Sequence, residues 1–117
     1  MHELSIATNI VEAAELEARR NGAVRVVCVR LTLGPLSGVV KEALESCFPL
    51  ACEGSLLKGS RLEVDEAPIV IECPGCKQQQ NAAGVYELVC VECGSPAAAV
   101  VSGRELEITA LELEIAE

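Results

Sequence analysis

Four of the seven cysteines fall into two Cys-x-x-Cys pairs, Cys73-Pro74-Gly75-Cys76 and Cys90-Val91-Glu92-Cys93, with thirteen residues between them. Each pair turns into a tight knuckle that presents two thiolates to one point. Two facing knuckles supply four sulfurs in a tetrahedron, which a d¹⁰ zinc ion accepts without geometric penalty. The intervening loop is slightly shorter than the roughly 15–20 residues of the common zinc pattern. Two disulfides, or one redox Cys-x-x-Cys beside an unrelated pair, are the competing readings. Two matched pairs this close together favour zinc, with Cys73, Cys76, Cys90 and Cys93 as ligands. Four thiolates fill the coordination sphere, so the ion is expected to hold structure and do no chemistry.

The rest of the composition narrows the function classes. At 117 residues the chain has the length of one domain. Half of it is hydrophobic, yet it has one Phe, one Tyr and no Trp. The core must therefore be built from Val, Leu, Ile and Ala, and little aromatic surface is left for stacking on bases. The formal net charge is −9, and the only charged residues between the outer cysteines are Lys77, Glu87 and Glu92. A zinc tetrathiolate adds two more negative charges. Nucleic-acid affinity comes mainly from Lys and Arg on phosphates, so no nucleic acid is expected as partner. An acidic chain suits a basic protein surface or a cation. No run of eighteen apolar residues exists, so no membrane span is expected. Met-His-Glu-Leu-Ser at the start lacks a basic region followed by an apolar stretch, which argues against a secretory signal. Cys28, Cys47 and Cys52 remain as free thiols in apolar surroundings, consistent with a reducing cytoplasm.

Residues 4–20 read as a helix, with Leu4, Ala7, Ile10, Val11, Ala14 and Ala18 on one stripe and a Glu15–Arg19 pair on its exposed side. Asn21-Gly22 ends it. Residues 24–33 form a strand rich in Val and Leu, apolar on both faces and so central in its sheet. After the turn at 34–38, a second helix covers about 39–52 with Val40, Ala43, Leu44, Cys47, Phe48 and Ala51 on its apolar side. Pro49 predicts a kink or an early end there. Residues 60–66 alternate as a short strand with Leu62 and Val64 inward, and 69–71 lead into the first knuckle. Gln78-Gln79-Gln80-Asn81 reads as an exposed polar loop, and 85–89 as a strand returning to the second knuckle. Ser102-Gly103 is a turn. In 104–115, Leu106 and Ile108 alternate in one phase and Leu111, Leu113 and Ile115 in the other, so a bulge or strong twist is expected near Ala110. The order implies an α+β fold, two helices packed on a three-stranded sheet. Residues 1–72 plus 97–117 form that layer, and 73–96 form an inserted four-cysteine zinc ribbon too short to fold without its ion.

His2 is the only histidine. At a terminus this would ordinarily mean little, but it follows Met1 directly, and its bulk should protect Met1 from removal. The Met1 amine, the His2 amide nitrogen and the His2 imidazole can close fused chelate rings around one ion, and the Glu3 amide could supply a further nitrogen. Deprotonated amides in one plane favour square-planar nickel(II) or copper(II). Glu3 is equally suited to favour a helix N-terminus by its charge.

Met-His-Glu-Leu-Ser at 1–5, Leu-Gly-Pro-Leu-Ser-Gly-Val at 33–39, and the paired cysteines followed by Gly-Arg-Glu-Leu-Glu-Ile at 103–108 together resemble the HypA/HybF family from end to end. These are nickel metallochaperones of nickel–iron hydrogenase maturation. The resemblance implies a nickel-binding domain of two helices on three strands, with the zinc domain inserted between the second and third strands. It implies nickel held by Met1, His2 and Glu3, and zinc held by Cys73, Cys76, Cys90 and Cys93. It also implies work with a nickel-loading GTPase of the HypB type and delivery to the hydrogenase large subunit, with service to urease in some members.

Two other classes compete. A zinc-ribbon interaction module would carry no transferable metal, and stoichiometric nickel uptake dependent on His2 separates the two. A thiol–disulfide enzyme would show one low-pKa thiol. The chain holds no Ser-His-Asp set, phosphate loop or paired acid–base constellation, so it is not expected to be an enzyme.

Overall fold

The computed structural model describes residues 3–73, 75, 78–82, 88 and 99–115. Helix α1 (Glu3–Arg20) buries Ala7, Ile10, Val11, Ala14 and Ala18, the three- and four-residue repeat that favours helix in the first place. Leu4 is an exception to the expected stripe: it stands in the first turn, ahead of the covered part of the helix, and is 45 % exposed. Glu15 holds Arg19 at 3.5 Å and also accepts the Leu56 N–H at 2.8 Å, which ties α1 to the segment after the second helix. Gly22, at φ 71°, closes the C-terminus with its N–H on the Arg19 carbonyl.

Strand β1 (Ala23–Leu33) is the middle of a three-stranded sheet, between β2 (Arg61–Glu66) and β6 (Leu106–Ile115). Ser60 donates its hydroxyl to the Val26 carbonyl, and Arg30 meets both Glu63 and Asp65. Residue numbers rise together along that pair, so β2 runs parallel to β1. Arg25 meets Glu114 and the Arg30 carbonyl accepts from Thr109, so β6 runs antiparallel to β1. A parallel pair needs a crossover, and helix α2 (Lys41–Cys52) supplies it.

One face of this sheet meets the helices. Val26, Val29 and Leu31 pack with the α1 stripe and with Leu44, Phe48, Cys52 and Leu57, flanked by Leu62, Val64, Ile108, Leu111 and Leu113. In β6 both Thr109 and Ala110 are exposed between half-buried Ile108 and Leu111, which is the phase change read from the sequence. Leu106 and Ile115, expected inward, are 39 % and 51 % exposed because they lie at the strand's two ends. Val40 precedes α2 as its N-cap and is exposed as well.

Pro49 does not end α2, which runs three residues past it. A proline in a helix interior costs about 3 kcal/mol. Burying Leu44 and Phe48 contributes about 1.5–3 kcal/mol each on the other side of the balance. Pro49 itself faces solvent, so its ring displaces no core side chain.

The chain divides into two compact units. The first takes Met1–Thr32, Val39–Asp65 and Glu107–Glu117, and the second takes Leu33–Gly38 and Glu66–Leu106. The 73–96 interval falls inside the second unit, which also contains β3 (Val70–Glu72), β4 (Gln79–Asn81) and β5 (Ala99–Ser102). These form an antiparallel sheet in the order β4-β3-β5. The residues 79–81 are therefore a strand, where an exposed loop was expected, and Gln80 is half-buried opposite Ile71. The backbone ladder overrides their low strand propensity. The expected strand at 85–89 lies outside the described residues, Leu88 apart.

Within the second unit the two motifs at 33–39 and 103–108 close on each other. Gly34 N–H donates to the Glu105 carbonyl at 2.8 Å, Leu36 N–H to the Gly103 carbonyl at 2.7 Å, and Ala67 N–H to the Leu33 carbonyl at 2.9 Å. A Cβ at Gly34 would stand 2.1 Å from the Gly103 oxygen, so only glycine permits this approach. Gly34→Ala is expected to lower stability by about 1–3 kcal/mol through forced backbone displacement. Gly22→Ala, with φ 71° but open space around it, should cost no more than about 1 kcal/mol. Urea denaturation of the two variants checks the ranking.

Candidate metal centres

The N-terminal candidate is described from Glu3 onward; Met1 and His2 lie outside the described residues. Glu3 opens α1, where its negative charge suits the helix N-terminus. Its Oε2 accepts the N–H of Val40 at 3.5 Å. Val40 is the N-cap of α2 and offers no side-chain oxygen of its own, so Glu3 serves that helix start from across the fold. The carboxylate of the third residue is thus engaged with α2, while α1's first turn stays exposed at Leu4.

The cysteine candidate is described at Cys73 and Gly75; Cys76, Cys90 and Cys93 lie outside the described residues. Cys73 follows β3 directly and is fully buried. The β3–β4 hairpin, with Glu72 opposite Gln79, closes around it as the Cys73 N–H donates to the Gln78 carbonyl at 3.1 Å. A Cβ on Gly75 would lie 3.9 Å from the Cys73 sulfur, so the turn passes close over the thiol. Among the described residues no three metal-ligating side chains converge.

The remaining cysteines behave as the apolar context implies. Cys28 and Cys52 are buried and Cys47 is half-buried, all three as free thiols. Burial, with the charge of Glu53 adding to it, pushes the Cys52 thiol up to about 11. Cys28 departs from expectation in its surroundings: it is buried on the sheet face opposite the helices and outside the main core cluster. It lines a cleft of about 320 Å³ beside Arg30, Arg61, Glu63 and Glu112. Arg61 reaches Glu112 at 3.8 Å, and Arg30 reaches Glu63 at 3.0 Å and Asp65 at 3.7 Å. The Glu63 hydrogen bond, then the Asp65 charge, raise the Arg30 pKa further. Sequence reasoning missed this ion-pair face, although Glu63/Asp65 and Glu112/Glu114 stand at the two-residue spacing of one strand face. Pairs this exposed are screened by water and add little to stability.

Residues 1–113 match the family profile described as HypA, hydrogenase/urease nickel incorporation, metallochaperone. The chain belongs to the HypA family. A relative from Roseiflexus sp. (strain RS-1), the hydrogenase maturation factor HypA, is 44 % identical over 114 residues, spanning 97 % of this chain and 93 % of that one. Another from Chloroflexus aurantiacus (strain ATCC 29366 / DSM 635 / J-10-fl) is 43 % identical over 112 residues, with 96 % and 98 % covered. The solution structure of the Ni metallochaperone HypA from Helicobacter pylori superposes with a TM-score of 0.71 at 26 % identity, covering 99 % of this chain and all of that one. The HypA fold of two helices with strands is thus shared along the whole length. Among the described residues no helix is long and apolar enough to cross a membrane.

Cys52 offers a pH test of the packing. Its thiol keeps its proton to about pH 11 when folded, against an ordinary value of 9.0. Its contribution to stability is full below the unfolded value and is lost as pH rises through the folded one. The urea midpoint is expected to fall between about pH 9 and 11, and to fall less steeply in Cys52→Ala.

Proposed function

We propose that this protein is a nickel metallochaperone that binds Ni(II) through Met1, His2 and Glu3 and delivers it for assembly of the nickel–iron hydrogenase active site, with a structural zinc held by Cys73, Cys76, Cys90 and Cys93. The observation that carries this reading is the family match over residues 1–113, which includes both candidate ligand sets. The donor chemistry supports it. An amine, amide nitrogens and one imidazole in a plane suit nickel(II), whereas four thiolates suit zinc. The engagement of the Glu3 carboxylate with Val40 supports assigning its backbone amide, and not its side chain, to nickel. An exposed first turn suits a cargo that must be released, and planar geometry supplies selectivity that raw affinity does not.

In this reading the chain is not an enzyme, works in the cytoplasm, and hands nickel on with a HypB-type GTPase to the hydrogenase large subunit, with urease accessory proteins as further partners. Residues 1–72 plus 97–117 act as the nickel-binding domain and 73–96 as the inserted zinc domain.

His2→Ala is expected to abolish specific nickel binding in isothermal titration while leaving fold and zinc content intact. Extending the chain ahead of Met1 should weaken nickel strongly by converting the amine to an amide. A His2→Ala protein that still takes up one nickel with unchanged affinity would overturn the terminal site and favour the plain zinc-ribbon module. At the second centre, Cys73→Ala or Cys90→Ala should lose zinc and disorder residues 73–93, leaving the helical layer largely folded. Elemental analysis with amide NMR checks this, and ordered signals across that segment in the zinc-free variant contradict it.

A further inference from the structure

Strand β6 lies at the margin of its sheet, with β1 as its one neighbour among the described residues. It runs ten residues and carries three glutamates and no basic residue in Leu-Glu-Ile-Thr-Ala-Leu-Glu-Leu-Glu-Ile. Beside it, between the strand and the C-terminal half of α1, opens a groove of about 320 Å³ floored by Ile108, Leu111 and Leu113 and rimmed by Glu17 and Asn21. The unpaired backbone of an edge strand is a template for another chain, and an added strand sends alternate side chains to opposite faces.

We propose that the edge of β6 turned away from β1 binds an extended segment of another protein in which apolar residues alternate with Lys or Arg. Its apolar side chains enter the groove over Leu111 and Leu113, on the helix side of the sheet. Its basic side chains fall on the other side, beside Glu112 and Glu114. Among the described residues those two glutamates meet exposed arginines, Arg61 at 3.8 Å and Arg25 at 3.7 Å, and such pairs exchange partners at little cost. The same charges exclude a second copy of this chain, because β6 set against β6 places glutamates together, and like charges across paired strands are unfavourable. A main-chain ladder supplies affinity and the alternate side chains supply selectivity. None of its residues is a candidate metal ligand.

The test uses the full-length, zinc-loaded protein and two synthetic hexapeptides, alternating Val-Lys and alternating Val-Glu, titrated under amide NMR. The Val-Lys peptide is expected to shift and protect amides in 106–115, with salt weakening it. Glu112→Gln/Glu114→Gln should weaken it by about tenfold, and Glu112→Lys/Glu114→Lys should transfer preference to Val-Glu. Equal binding of the two peptides, shifts centred away from β6, or no binding at millimolar peptide overturns the proposal. Because the glutamine variant removes no core side chain, it tests the charge argument even where the lysine variant folds poorly.

Discussion

Alanine along the buried stripe of α1 is the constraint on which the first unit depends. Ala7, Ala14 and Ala18 are wholly buried, and small side chains let helix α1 lie close against its neighbours. That closeness offsets the lack of aromatic volume: Leu31, Leu44, Leu57, Val26 and Val29 fill what remains. Such packing leaves few gaps, and each aliphatic side chain sunk into it contributes about 1.5–3 kcal/mol. The fully buried stripe starts at Ala7; in the first turn Ile6 is half-buried against the core, Leu4 is exposed and Glu3 meets Val40.

The second unit rests on different physics. Its described core is small, with Leu33, Ile69, Ile71 and Cys73 as the buried hydrophobic residues, and its strands are three or four residues long. Strands so short bury too little to stand alone. The close pass of Gly34 by Gly103, and of Gly103 by Ile69 at 3.1 Å for a would-be Cβ, supplies some of the missing order through backbone hydrogen bonds. An ion held by four thiolates would supply the remainder, since metal binding by such modules is also their folding energy.

Long periodic elements were legible in the sequence because burial writes its pattern over many residues. The α1 alanine stripe and the phase break near Ala110 follow from single-face burial, and the doubly apolar β1 from burial on both faces of a central strand. Gln79–Asn81 was not legible: three polar residues carry no period, and their strand state comes from partners at Val70–Glu72 that are close in space. Pro49 left an early end open in a helix read to about residue 52, and α2 does run to Cys52, with Phe48 and Cys52 anchored in the core on either side of the proline. Leu106 and Ile115 fit the alternation yet stay exposed, because the helices cover only the middle of β6. The candidate metal ligands were proposed from residue type and spacing alone, and of them only Glu3 and Cys73 lie among the described residues.

In the proposed assignment the two metals separate by ligand chemistry. Soft thiolates in a closed tetrahedron would retain zinc, and nitrogen donors from Met1 to Glu3 would accept and release nickel, with protons as competitors at the amine and imidazole. The most direct measurement is a nickel titration of the untagged, zinc-loaded protein followed by its visible absorption. The account predicts one equivalent of nickel with the band of a planar site, fading as acid protonates the imidazole, and no zinc displaced. Nickel that enters only by expelling zinc, with the charge-transfer bands of a thiolate site, would contradict it.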